Sequence, residues 1–213
     1  MPNWCSNSIV ITGDKDKIKK IKRVLQSMDT KNDNIGIFQV LVGKDDNVSE
    51  SQFQGGAWYQ HNLDRYGCKW DTNWDDSNID IEGDECITMS PQTAWSPPDG
   101  FCRLLSQQYG VDVRLEYSEP GCDFAGVLLT YGDGREEESE SYEYLEGLYF
   151  IDEDYFWMEV RNNLEYEFEE DEPRDVKEWL KDFPYVDEKH HSDMTELYDD
   201  VKEEYEEQQQ ESK

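Results

Sequence analysis

Five cysteines (Cys5, Cys68, Cys86, Cys102, Cys122) and three histidines (His61, His190, His191) are the side chains of this 213-residue chain best suited to bond-making chemistry. Iron–sulfur and structural zinc sites need closely spaced thiolates. Here the two nearest cysteines, Cys86 and Cys102, stand 16 positions apart. Their odd number and the absence of an export signal in Met1-Pro2-Asn3-Trp4-Cys5 predict reduced thiols in a cytoplasmic protein. Cys5 and His61 would have to meet in space to form a nucleophile–base pair, and no local motif supports that. His190-His191 falls between two expected helices and reads as a solvent-exposed pair. The phosphate-cradling, dinucleotide, nucleophile-elbow and zinc-protease motifs are all absent. No catalytic residue, metal site or cofactor is therefore expected, and the chain is read as a non-enzyme.

Asp71-Thr72-Asn73-Trp74-Asp75-Asp76-Ser77 places oxygen ligands at positions 1, 3, 5 and 7 of a calcium-type loop. Position 6, where such a loop needs glycine for its sharp turn, is Asp76. A solvated acidic loop is the expectation.

The remaining chemistry is electrostatic. The chain carries 51 acids and 20 bases, a formal net charge of −31. Residues 1–130 hold a net of −8 and residues 131–213 a net of −23. Only the start is basic, through Lys15, Lys17, Lys19, Lys20, Lys22 and Arg23. A surface this negative repels phosphates and anionic lipids, so direct DNA binding and membrane association are disfavoured. Disorder is disfavoured too, because 7 Trp, 13 Tyr and 8 Phe supply large buriable surfaces.

Several elements must carry these groups. Ser6–Thr12 reads as a strand. Ile18, Ile21, Leu25 and Met28 then form one face of a helix whose other face is lysine-rich, with Asp14 as its N-cap. The apolar run Ile37–Val42 reads as a strand, and Ala57–Tyr66 as a short helix closed by Gly67. Short strands are expected at Asn78–Ile81 and Glu85–Met89. Ser96-Pro97-Pro98-Asp99 is a helix start with Ser96 as cap. Val111–Tyr117, Phe124–Tyr131 and Ser141–Leu145 form an antiparallel meander.

Beyond Phe150 three acidic helices are expected. Tyr155, Phe156, Met158, Val160 and Leu164 mark the first. Pro173 begins the second, with Val176, Trp179, Leu180 and Phe183 on one face. Ser192 or Asp193 caps the third, where Met194, Leu197, Tyr198, Val201 and Tyr205 form an apolar stripe that must pack on the body or on a partner. The fold class is α+β: a ferredoxin-like split βαβ antiparallel sheet with helices on one face, extra hairpin strands, and an acidic helical extension. The domains are 1–150 and 151–213.

Three stretches, Met1-Pro2-Asn3-Trp4-Cys5-Ser6-Asn7, Lys69-Trp70-Asp71 and Thr93-Ala94-Trp95-Ser96-Pro97-Pro98, together resemble the YubB-type ferredoxin-like domain family of phage- and plasmid-borne small proteins. The resemblance covers about residues 1–150. It implies a ferredoxin-like topology and a mobile-element setting, and it supplies no catalytic residue or substrate. Core packing is the expectation for Trp70 and Trp95, and lining a ligand pocket the sharper alternative.

The functional expectation is a non-enzymatic acidic interaction module of mobile-element origin. Its sharper form mimics nucleic acid to bind and inhibit a basic bacterial host or defence protein, and the plain alternative for the acidic region is solubility. Its expected contacts are the carboxylates of Glu136, Glu137, Glu138, Glu169, Glu170, Asp199, Asp200, Glu203 and Glu204, anchored by Tyr155, Trp157 and Trp179. The alternative is a nucleotide or RNA binder that uses the N-terminal sheet and the Lys15–Arg23 helix.

Overall fold

The computed structural model describes residues 3–28, 36–44, 49, 51, 53–81, 85–169 and 174–211. The chain divides into two compact units, Met1–Tyr144 and Leu145–Lys213.

The first unit is an α+β layer built on a six-stranded antiparallel sheet. Strand β1 (Trp4–Thr12) alternates strictly, with Cys5, Asn7, Ile9 and Ile11 buried and Trp4 and Ser6 exposed. Helix α1 (Lys15–Gln26) returns over the buried face with Ile18, Ile21 and Leu25 inward. Asp14 precedes it, but its side chain makes no capping bond; its backbone carbonyl accepts the Ile18 amide instead. Two lysines of α1 are not merely solvated. Lys17 donates to the Gly110 carbonyl at 2.6 Å and Lys22 to the Ile81 carbonyl at 2.7 Å.

Ile37–Val42, expected as a strand, is helix α2 (Ile37–Val42). Ile37, Phe38, Leu41 and Val42 are all buried, and a fully buried six-residue run has no periodicity to separate helix from strand. The deciding group lies more than thirty residues away. Asp71 accepts the Phe38 and Gln39 amides at 2.8 Å each, and the Thr72 carbonyl accepts the Ile37 amide at 2.8 Å. The first amides of the helix are thereby satisfied.

A turn of π-helix (Phe53–Ala57) leads into α3 (Trp58–Tyr66), which Gly67 closes at φ 88° as expected. A single antiparallel bridge joins Asp80 to Thr88 of β2 (Cys86–Met89), within the stretch expected as a short strand. Strand β3 (Gln92–Ala94) pairs with the start of β1. Helix α4 begins only at Asp99 (Asp99–Tyr109). Ser96 does not cap it; its hydroxyl donates to the Gly67 carbonyl at 2.7 Å.

Strands β4 (Asp112–Glu119), β5 (Phe124–Thr130) and β6 (Glu138–Tyr142) complete the sheet. The meander is present, but its third strand begins earlier than expected and the chain from Tyr144 onward is helical. The order β2-β1-β4-β5-β6, with Asp80 outside β2, places β1 between β2 and β4. Strand β2, helix α4 and strand β4 are thus a βαβ unit split by β1, which is the ferredoxin-like arrangement with β5 and β6 added. Both helices cover one face. Ile9, Ile11, Ile87, Met89, Val113, Leu115 and Leu128 meet Ile18, Ile21, Leu25, Phe101, Cys102 and Leu105 in one core.

The second unit is helical: α5 (Tyr144–Ile151), α6 (Glu153–Glu169), α7 (Val176–Trp179) and α8 (His191–Glu211). Pro173, expected to open α7, lies outside the described residues. A 3-10 turn, Glu188–His190, leads straight into α8, so neither Ser192 nor Asp193 is its cap. The apolar stripe of α8 packs within this unit. Met194, Tyr198 and Val201 are buried with Phe156, Val160, Leu164 and Phe168 of α6, and with Trp179, Phe183 and Val186. Tyr155 and Met158 of α6 are exposed.

Candidate interaction surfaces

Cys5, Cys68 and Cys102 are buried, which disfavours nucleophilic chemistry at these three thiols. Burial pushes the Cys5 thiol up to about 12, and pushes Cys68 and Cys102 upward as well. A nucleophilic thiol needs the opposite shift. The Cys5 thiol donates to Asn7 Oδ1 at 3.6 Å, and Asn7 Nδ2 lies 2.9 Å from the Pro91 carbonyl and from Thr93 Oγ1. The Cys5 and Asn7 of the opening motif therefore fasten β1 to β3. His190 is not a solvent-exposed residue. Its ring packs on Tyr149 and Trp157, with Nδ1 3.1 Å from the Tyr149 hydroxyl and Nε2 3.6 Å from Glu153. His191 is exposed at the start of α8.

The acidic loop is held by its own bonds rather than by solvent alone. Asp71 commits both carboxylate oxygens to amides, at Phe38, Gln39 and Thr72. Burial still pushes its carboxyl up to about 6, against the pull of those donors. Asn73 donates to Asp76 Oδ2 at 2.7 Å and accepts the Asp76 amide at 2.9 Å. Glu82 and Gly83, farther along that loop, lie outside the described residues. Among the described residues no three His, Cys, Asp or Glu side chains gather as metal ligands.

Trp70 and Trp95 are not core residues. Trp70 is 37%, Trp95 47% and Trp4 49% exposed. Trp4 stands at the start of β1 on the face away from the helices, and its ring centroid lies 6.0 Å from that of Trp70, with the planes at 43°. The two indoles, with Asp71, Thr72, Asn73, Asp76 and Gln92, line an open cleft of about 490 Å³. The Lys69 ammonium sits 4.3 Å from the Trp70 ring centre. Trp95 adopts φ 73°, a left-handed conformation that a bulky side chain rarely takes. The Trp95 amide donates to the Asn3 carbonyl at 3.0 Å, and Thr93 Oγ1 to the Ser96 carbonyl at 2.7 Å. Sequence reasoning missed Trp4, Asp76 and Gln92 as a group. The cue was period-2 alternation, which puts Trp4 on the opposite face from Cys5 and Ile9.

A second concavity of about 590 Å³ lies between α3 and α4, lined by His61, Asp64, Arg65 and Arg103 among others. Its charges are engaged. Arg65 donates to the Val42 and Gly43 carbonyls, and Arg103 bridges Asp99 at 2.5 Å and Glu137 at 2.7 Å.

The expected partner-binding carboxylates fare differently from one another. In the first unit Glu136, Glu137 and Glu138 are exposed, but Glu137 is held by Arg103, which depresses its pKa, and Glu138 accepts the Tyr131 hydroxyl. In the second unit Glu169, Asp199, Asp200 and Glu203 are exposed, and Glu204 pairs with Arg161 at 2.6 Å. Glu170 lies outside the described residues. Of the expected anchors, Tyr155 is exposed and Trp157 half-buried, packed on Phe156 and His190. Trp179 is 2% exposed, wedged between Phe183 and Tyr198, and is therefore a core residue rather than an anchor.

Residues 69–156 match a protein-family model described as a ferredoxin-like domain in Api92-like protein. A solved structure, that of a protein api92 from Yersinia pseudotuberculosis, is similar at 10% identity and a TM-score of 0.39, over 66% of this chain and 98% of that one. No curated protein matches the chain. The family match carries the ferredoxin-like class, and its description is Api92-like rather than YubB-type. Among the described residues no helix is long and apolar enough to cross a membrane.

Proposed function

We propose that this chain is a non-enzymatic, acidic interaction module that binds a basic, nucleic-acid-binding protein, with carboxylates standing in for phosphates. The observation that carries the reading is the outer surface of α8. Asp193, Glu196, Asp199, Asp200, Glu203, Glu204, Glu206 and Glu207 are all exposed on a helix whose apolar face is already covered by α6. From Asp193 to Glu207 the helix rises about 21 Å at 1.5 Å per residue. That is about one carboxylate per 3 Å, close to the one charge per about 3.4 Å along a DNA strand. Several basic residues of this unit are already paired: Arg161 with Glu165 and Glu204, Arg174 with Glu167 and Asp182, Lys181 with Glu178, and Lys189 with Asp187. A fixed carboxylate surface raises association rates with a basic partner and selects against acidic ones. A YubB-type, mobile-element setting with a bacterial host partner is part of this reading.

The alternative, RNA or nucleotide binding by the sheet and α1, is disfavoured by the placement of charge. Strand register puts Arg114, Glu116, Glu138 and Glu140 on the open face, and Arg114 is paired with Glu116 at 2.6 Å. The lysines of α1 belong to the opposite side of the sheet, where α1 packs.

The test is capture of binding proteins from bacterial lysate on the immobilised full chain, at low and high salt and with duplex DNA as competitor. Basic proteins released by salt and by duplex DNA support the reading. Capture that is indifferent to both contradicts it.

A further inference from the structure

The cleft between Trp4 and Trp70 combines two features suited to recognition: two neighbouring exposed indoles and a carboxylate held in place with an acceptor to spare. Exposed Trp surface is costly in water, and clustered aromatics on a surface mark recognition sites. Asp76 is exposed, and Asn73 holds it through both its amide and Oδ2. Among the described residues its Oδ1 has no hydrogen bond, so it is the acceptor left for a visitor. Asp71 adds a second negative charge to the cleft wall, although its oxygens are taken by amides. Among the described residues no basic side chain lines the cleft, so a phosphate or carboxylate ligand would face the carboxylates of Asp71 and Asp76. Trp70 already accepts a cation from the chain itself, Lys69, which does not line the cleft.

We propose that this cleft receives an arginine side chain of a basic partner protein, the guanidinium lying on the Trp4 indole and hydrogen-bonded to the Asp76 carboxylate. Arginine fits better than lysine because its planar, weakly hydrated fork both stacks on an aromatic face and presents several donors to a carboxylate. The proposal deepens the reading above and rests on it for the source of the arginine. The cleft belongs to the first unit, however, and its test is separate from that of α8.

The test uses the isotopically labelled full chain and a capped tetra-arginine peptide, with tetra-lysine and tetra-citrulline as controls. The Trp4 and Trp70 indole N–H resonances are assigned from Trp4→Phe and Trp70→Phe. The arginine peptide should move both resonances and the lysine peptide should bind more weakly. Citrulline, which is isosteric with arginine and uncharged, should leave them in place. Asp76→Asn, an exposed and nearly isosteric change, should weaken the arginine peptide about tenfold. Trp4→Leu should do the same, and thermal melting of each variant shows whether its fold is intact. Unmoved indoles, equal response to citrulline, or full binding by Asp76→Asn would overturn the proposal. A variant carrying Asp199→Asn, Asp200→Asn and Glu203→Gln separates the two readings. Shifts that persist in it support the cleft whatever becomes of α8. Shifts lost in it but kept in Asp76→Asn would put the peptide on α8 and overturn the cleft.

Discussion

Gly36 and Asp71 are in such close contact that a Cβ on Gly36 would lie 2.0 Å from the Asp71 carboxyl carbon. The missing side chain is what lets Asp71 reach the first amides of α2. Gly36→Ala should therefore cost about 2–4 kcal/mol, through displacement of the cap and disturbance of the core beneath it. Asp71→Asn keeps the shape but gives one acceptor position to an NH2, and should cost about 1–2 kcal/mol at neutral pH. Urea unfolding of the two variants checks both values.

The pH dependence of the Asp71 contribution has a definite sign. Burial raises its folded pKa to about 6 from 3.8. The folded state then binds the proton more tightly than the unfolded state. The resulting stabilisation is fully present below the unfolded value of 3.8 and is lost as pH rises through about 6. Between pH 7.5 and pH 5 the stability gap between the parent chain and Asp71→Asn should widen by about 1 kcal/mol. A gap that narrows on acidification would show that the amide donors outweigh desolvation.

Arg103 ties Asp99 and Glu137 together across half-exposed surface. Screening limits such a network, so Arg103→Gln should cost no more than about 1 kcal/mol, and less at high salt. Chemical denaturation with urea at two salt concentrations measures it.

Trp95 offers a test of backbone strain that is independent of its ring. With φ at 73°, glycine should be favoured over alanine at this position by about 1–2 kcal/mol. Comparing Trp95→Gly with Trp95→Ala in urea isolates that difference, since both lack the indole.

Trp179 and Tyr155 separate core from surface in the second unit. Trp179→Ala should destabilise that unit by about 3–5 kcal/mol, whereas Tyr155→Ala should stay within about 0.5 kcal/mol. Far-ultraviolet circular dichroism melts, which report the helical unit strongly, distinguish the two.

Much of the framework was legible because its signals are local. Ile9 and Ile11 alternate with polar neighbours, Ile18, Ile21 and Leu25 recur on one helical face, and Gly67 and Gly110 end their helices in left-handed geometry. Where expectation failed, a distant group decided. The Asp71 cap made a helix of Ile37–Val42, and nothing within that run announces it. Ser96 was drawn from a would-be capping position to the Gly67 carbonyl. Exposure was the least legible property. Trp4, Trp70 and Trp95 look like core residues by type but are presented at the surface, while Trp179 looked like an anchor and is buried. Side-chain type alone does not say which face of an element is covered. For the same reason the carboxylates Asp199, Asp200 and Glu203 could be placed on a solvent face, whereas the pairing of Glu137 with Arg103 could not be foreseen.

The salt dependence of partner binding tests the central claim most directly. Affinity for a captured basic partner is measured across a series of salt concentrations, for the parent chain and for the variant carrying Asp199→Asn, Asp200→Asn and Glu203→Gln. If α8 replaces phosphates, removing three carboxylates should weaken binding about tenfold or more at low salt and make the slope of log affinity against log salt shallower. Equal affinity and equal slope for the two proteins would contradict the account.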